Sequence, residues 1–270
     1  MAALPLIPST VVGSHGKAGW WFTAVKAYEA GDMGPGDLEE MFDDAADTAI
    51  RDMERAGLDI ITDGEVRRLD GYVDSYYAVI KGIEPLPVRR KAGPWGYDQQ
   101  TRYEATGRIE APAGGLGIIK EFAYLKAHTS RPVKATCAGP LTFGSRIHPG
   151  KLYKGVVDVA ERFAEVINAE LRGLVDAGAD YIQIDEPARG NVSGEEMARL
   201  FNLATEGVKA KLGFHICFGN LYGRPFSAVR DFKNLYPTLR DLRASQIVLE
   251  FANPEILVRL IEWADKLLSE

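Results

Sequence analysis

Cysteine is scarce in this chain, with two residues, Cys137 and Cys217, in 270. Two thiols cannot build the bridge framework that staples small secreted folds, so each is read separately, as a metal ligand, a redox group or a small buried side chain. Long runs of Lys and Arg are missing too, and 32 basic residues face 38 acidic ones, for a net charge of −6. Binding that tracks a phosphate backbone leaves a basic footprint, so no nucleic-acid partner is expected. No stretch of about 18 uncharged apolar residues occurs, and MAALPLIPSTVVGS at the N-terminus lacks a basic region ahead of an apolar one. The expectation is a cytoplasmic protein with no membrane partner. There is no internal repeat or low-complexity tract, and no Gly-x-Gly-x-x-Gly turn favours a dinucleotide-binding sheet.

What is present is enough apolar residue, 46% of 270, to bury one large core, so a single domain over residues 1–270 is expected. Short apolar runs recur and end in polar or Gly-rich residues: Val11 to Ser14, Asp59 to Glu65, Val133 to Pro140, Tyr181 to Pro187, Gly213 to Asn220 and Ile247 to Asn253. They read as buried parallel strands. Helical patterns lie between them. Leu38 to Ala56 places Leu38, Met41, Phe42, Ala45, Ala49 and Met53 on one face, with Gly57 at its C-terminal end. A second runs from Val156 to Ala177 and stops at Gly178; a third opens with Ser193 and Glu196 at capping-box spacing; a fourth follows Pro254.

Repeated strand-helix units predict an α/β fold of the TIM-type (β/α)8 barrel. Six units are legible where a closed barrel needs eight, so the chain is expected to lack the last two βα units, as a C-terminally truncated form. A partner chain or a second copy would then cover the open edge. Pro, Gly and aromatic residues around Tyr103 and Ile109 predict an inserted hairpin over residues 85–112, lying across the barrel mouth.

The strand ends carry the chemistry. In a barrel, the loops after the strands build the active site, and here those ends hold Ser14-His15, Asp63-Gly64-Glu65, Gly139-Pro140, Asp185-Glu186-Pro187, His215-x-Cys217 and Glu250. Residues i and i+2 of a strand share a face, so His215 and Cys217 can grip one ion, although alone the pair also fits two buried core residues. Glu250 would be costly in an apolar barrel unless it is salt-bridged or bound to metal. Imidazole, thiolate and carboxylate with an open fourth position suit Zn2+, which lowers the pKa of an incoming thiol. Asp63, Glu65, Asp185 and Glu186 add negative charge fit for a substrate ammonium; alternatively, two of the four pair with Arg67, Arg68 or Arg189. Ser14, after Gly13, could meet a carboxylate or phosphate. Cys137 reads as a buried strand residue, and His15 and His148 receive no role.

Six motifs in order, Val12-Gly13-Ser14, Thr62-Asp63-Gly64-Glu65, Gly139-Pro140-Leu141-Thr142, Gln183-Ile184-Asp185-Glu186-Pro187-Ala188, His215-Ile216-Cys217-Phe218-Gly219-Asn220 and Leu249-Glu250, resemble the C-terminal catalytic barrel of cobalamin-independent methionine synthases and their short single-barrel relatives. The resemblance implies a zinc-activated homocysteine thiolate that takes a methyl group from 5-methyltetrahydrofolate or a related donor. It implies zinc ligation by His215, Cys217 and Glu250, an ammonium site and catalytic role for Glu65 and Asp185, and Ser14 near the substrate carboxylate. That family draws a further zinc-binding Cys and a catalytic His from its last two strands, which have no counterpart before Glu270. Arg189 and Gly190 stand where the long synthases carry an apolar residue. Together with Arg67, Arg68 and Arg224, Arg189 keeps open an epoxyalkane:coenzyme M transferase, in which guanidinium groups hold a sulfonate. A non-catalytic barrel remnant that binds a partner is the reading from another class.

Overall fold

The computed structural model describes residues 4–68, 73–87, 102–187, 192–217, 232 and 235–250. The expected fourth helix after Pro254, the Arg189-Gly190 pair and Arg224 lie outside them.

Helix α1 (Gly19–Ala30) and α2 (Pro35–Arg55) open the fold. Pro35 starts α2 with its φ already set, and the Asp37 carboxylate accepts the Gly34 N–H at 3.1 Å. Met41, Phe42, Ala45, Ala46, Ala49, Ile50 and Met53 form its buried face, and Gly57 leaves the helix at φ +78. A short α3 (Asp74–Tyr77) leads to β1 (Lys81–Pro85), which pairs antiparallel with β2 (Tyr103–Glu110). An antiparallel pair is therefore present, but Tyr103 and Ile109, expected as separate pieces of a hairpin over residues 85–112, lie on the one strand β2, and its partner β1 begins at Lys81. Two later residues, β4 (Ile147–His148), join β2 in parallel.

The main sheet consists of β3 (Ala135–Ala138), β5 (Tyr181–Asp185), β6 (Lys211–Ile216) and β7 (Gln246–Leu249), all parallel. Its spatial order is β3-β5-β6-β7, the order of the chain. A doubly wound sheet reverses direction at a switch point, whereas a barrel winds one way, and no reversal occurs among these four strands. Among the described residues the sheet is an open arc. Its helices are α4 (Ile118–His128), α5 (Pro140–Gly144), α6 (Val156–Asp176), α7 (Gly194–Ala204) and α8 (Tyr236–Leu239). The capping expectation for α7 holds, since the Ser193 hydroxyl accepts the Glu196 N–H at 3.2 Å.

The two faces of the sheet differ sharply. Cys137, Ile182, Ile184, Leu212, Phe214 and Ile216 point outward into one core with Phe163 and Ile167 of α6 and Leu200 and Phe201 of α7. The Phe201 and Phe214 rings meet edge to face with centroids 5.2 Å apart. The alternate positions carry Lys134, Thr136, Gln183, Asp185 and His215, which share one face because strand side chains alternate. The inner face of these strands is thus polar.

Two expected strands differ from the pattern. Val11 to Ser14 forms no ladder, because Gly13 adopts φ +80 and breaks the extended run. It follows residues 59–64 through separate contacts: the Ser9 carbonyl accepts from Asp59 and Ile60 N–H, and the Gly64 carbonyl from His15 N–H. Asp59 to Glu65 makes one parallel bridge, Ile61 with Val133, and then turns. Its place beside β3 extends the sheet in chain order.

Candidate active site

The turn after Ile61 is built by its own side chains. Thr62 Oγ1 accepts the Gly64 N–H and Asp63 Oδ1 accepts the Glu65 N–H, both at 3.1 Å. Gly64 takes φ +71, and a Cβ there would lie 2.6 Å from Ala49 Cβ, so only glycine fits. Glu65 follows at φ +54, the only non-glycine residue with left-handed φ among the described residues. Such a conformation costs roughly 1–3 kcal/mol and persists where surrounding contacts hold it.

Those contacts are specific. Ser14 Oγ donates to Glu65 Oε2 at 2.8 Å, and Arg68 Nη1 lies 3.2 Å from Glu65 Oε1. Arg68 is itself buried, with Nη2 donating to the carbonyl and hydroxyl oxygens of Thr136 at 2.7 and 2.8 Å and Nε 3.6 Å from Glu121 Oε2. The Tyr76 hydroxyl donates to Glu121 Oε2 at 3.1 Å. Burial raises the Glu65 carboxyl above the usual range against the pull of Arg68 and Ser14, with the Asp185 charge adding to the rise. Glu121 is pushed up to about 7 by burial, again opposed by Arg68.

On the sheet, Ala138, Asp185 and His215 stand side by side in register. His215 Nδ1 donates to Asp185 Oδ1 at 2.7 Å, and Gln183 Nε2 donates to the same oxygen at 2.7 Å. Burial alone would lower the His215 imidazole, but its hydrogen bonds with Asp185 and Cys217 hold it up to about 10. Cys217 therefore meets the His215 side chain, as the i, i+2 spacing predicts. Glu250 comes one residue beyond the register pair Ile216 and Leu249, beside the Cys217 position.

The expected residues thus form two groups, Ser14 with Glu65 and Asp185 with His215 and Cys217, coupled by the charge interaction of Glu65 with Asp185. The pairing alternative for the carboxylates holds for Glu65 with Arg68, while Arg67 binds Glu39 and Asp43 instead. Glu186 turns away to accept from the Leu141 and Thr142 N–H groups and the Thr142 hydroxyl, capping α5. Burial still raises it to about 7. Cys137 is fully buried on the outer face, as expected, and His15 and His148 lie near Asp52 and Glu104. Sequence reasoning passed over Glu121, Lys134 and Gln183. For Lys134 and Gln183 the signal available was their period-two spacing with Thr136 and Asp185 on runs otherwise apolar; Glu121 lies on α4, where that period says nothing.

Among the described residues, no three His, Cys, Asp or Glu side chains are gathered into a group that could hold a metal ion. The donor chemistry nevertheless fits zinc in part. Asp185 fixes Nδ1 of His215, the arrangement by which a carboxylate orients a metal-binding imidazole, and Cys217 supplies sulfur at the same ring.

Residues 7–222 match the family described as cobalamin-independent synthase, catalytic domain. The methionine synthase of Sulfurisphaera tokodaii is 34% identical over 257 residues, covering 94% of this chain and 70% of that protein. That of Saccharolobus solfataricus is 34% identical over 252 residues, covering 92% and 70%. Among solved structures, a B12-independent methionine synthase from a Shewanella species, in complex with selenomethionine, superposes with a TM-score of 0.72 at 23% identity, over 90% of this chain and 73% of that one. A putative vitamin-B12 independent methionine synthase from Listeria monocytogenes gives 0.63 at 20% identity, over 97% and 88%. These likenesses carry the barrel-type fold, and with the family match and the relatives they establish that the chain belongs to the cobalamin-independent methionine synthase family and is an enzyme of that type.

Proposed function

We propose that this enzyme transfers a methyl group to the thiol of homocysteine, from 5-methyltetrahydrofolate or a related donor, with Zn2+ held by His215, Cys217 and Glu250. The observation that carries the reading is the meeting of Ser14 and Glu65 with Asp185, His215 and Cys217 at the C-terminal ends of the strands. Bound zinc would supply Lewis acidity that keeps a substrate thiol as thiolate near neutral pH. The protein side chains do the rest. Glu65 and Asp185 offer carboxylates to an ammonium, which would relieve their mutual repulsion, and Ser14 stands beside Glu65 for the substrate carboxylate. Asp185 also sets the orientation of His215. The selenomethionine complex of the Shewanella protein is consistent with an amino-acid product of this shape. Membrane transport is not part of this reading; among the described residues no helix is long and apolar enough to cross a bilayer.

The sulfonate reading is weaker, because Arg67 and Arg68 are engaged with carboxylates. Elemental analysis and a thiol panel test the proposal. We expect about one zinc per chain, lost in His215→Ala and Cys217→Ala, and methionine formation from homocysteine. Turnover of coenzyme M with none of homocysteine, or a folded zinc-free wild type, would reject it.

A further inference from the structure

Lys134 is a buried lysine that the mechanism above does not use. It is 0% exposed and stands immediately before β3, two residues from Thr136 of the polar inner face. Burying an ammonium is costly unless its donors are satisfied. Nζ donates to Gln183 Oε1 and to the Val11 carbonyl, both at 2.8 Å. An ammonium only donates, so it accepts no amide N–H, and the Gln183 side chain must turn its oxygen to Lys134 and its Nε2 the other way. Nε2 then donates to Asp185 Oδ1, which also accepts from His215 Nδ1. Four side chains, from the residue before β3 and from β5 and β6, thus form one chain of short hydrogen bonds in which each link dictates the polarity of the next. The same ammonium ties down Val11, three residues before Ser14.

We propose that Lys134 and Gln183 are positioning residues, which set the Asp185 carboxylate and thereby aim His215, while Lys134 also holds the segment that carries Ser14. The relay reaches the two groups of the site from beneath, and neither of its first two members touches the reacting atoms. Its relevance to turnover rests on the methyltransferase reading, but its existence does not, and the experiment separates them.

The 270-residue chain labelled with 15N-histidine carries only four histidines, so the His215 Nδ1–H resonance can be assigned by its absence in His215→Asn. Wild type should show this proton far downfield, as expected of an imidazole N–H held on a carboxylate. Gln183→Glu keeps an acceptor for Lys134 but removes the donor to Asp185. It and Lys134→Met should each move that proton upfield or lose it to exchange, and chelator competition should show zinc affinity falling about 10- to 100-fold, the usual scale for loss of an outer-shell partner. A folded Gln183→Glu with the wild-type resonance and affinity overturns the relay, as does a folded Lys134→Met that matches wild type. If Lys134→Met does not fold, Gln183→Glu decides. A wild type that binds no zinc defeats the functional reading alone, and the resonance then decides the relay.

Discussion

Glu65 holds a backbone angle that an L-residue adopts at a cost, and its carboxylate is buried beside a second carboxylate, Asp185. Both conditions are sustained by Arg68, which is buried as well and is shared with Glu121. The arrangement leaves a titration that thermal melts can read. Glu121 keeps its proton in the folded protein up to about 7, whereas its ordinary value is 4.5. A carboxyl raised by folding contributes its full stability below the unfolded value and loses it as pH climbs through the folded one. Stability should therefore fall between pH 4.5 and 7, by up to about 3 kcal/mol from this residue. Glu121→Gln has no proton to lose and should flatten the fall, while Glu186, shifted in the same direction, preserves part of it. Melting curves of equal slope in variant and wild type would show that Glu121 ionises normally.

At the scale of elements, the tight turn of residues 62–65 is the most sensitive place. Gly64→Ala would put a methyl group 2.6 Å from Ala49 and 2.9 Å from His15, at an angle alanine adopts poorly. We expect a loss of several kcal/mol and a large drop in Tm, because strain and overlap add. A similar argument applies to Gly139→Ala, whose Cβ would lie 2.3 Å from the Glu186 carboxyl and displace the cap of α5; normal folding of that variant would show that the cap can shift without harm. These elements also mark how far the sequence could be read. Helices α2, α6 and α7 were legible because each has a clean apolar stripe and a capping or terminating residue. Helix α1 was not, since exposed Trp20, Phe22 and Tyr28 blur its stripe, and α4 carries the buried Glu121 among its apolar residues. Residues 59–65 read as one strand because Ile60 and Ile61 are apolar, while the turn that ends it depends on Thr62 and Asp63 side chains that periodicity does not weigh. That His215 and Cys217 share a face was legible from their i, i+2 spacing, although the spacing alone did not separate a ligand pair from two core residues. The Asp185 contact that orients His215 spans 30 residues and needed the strand register.

At the scale of the whole molecule, the described residues form two apolar clusters. One unites the sheet with α4, α6 and α7; the other joins α1 and α2 with Ile61 and Val66. Glu65, next to Val66, lies on the side of the second cluster, and Asp185 ends a strand of the first. A ligand gripping both carboxylates would tie the clusters together. Saturating homocysteine or selenomethionine should therefore raise Tm, since a ligand at 100 times its Kd adds about 2.7 kcal/mol. Arg68→Met should remove the gain by freeing Glu65, and an unchanged Tm in wild type under saturating ligand would argue against a joint site.

Because the strands of the main sheet neighbour one another in chain order, a growing polypeptide always finds its next pairing edge already made. Domains form in step with synthesis, N-terminal parts first. Here the carboxylate of Glu65 emerges before Asp185, and Asp185 before His215, so translation itself delivers the polar face one strand at a time. The corresponding liability is a nascent chain whose emerged part ends between residues 185 and 211, which would present the bare flank of β5, with Asp185 exposed and no imidazole yet beside it.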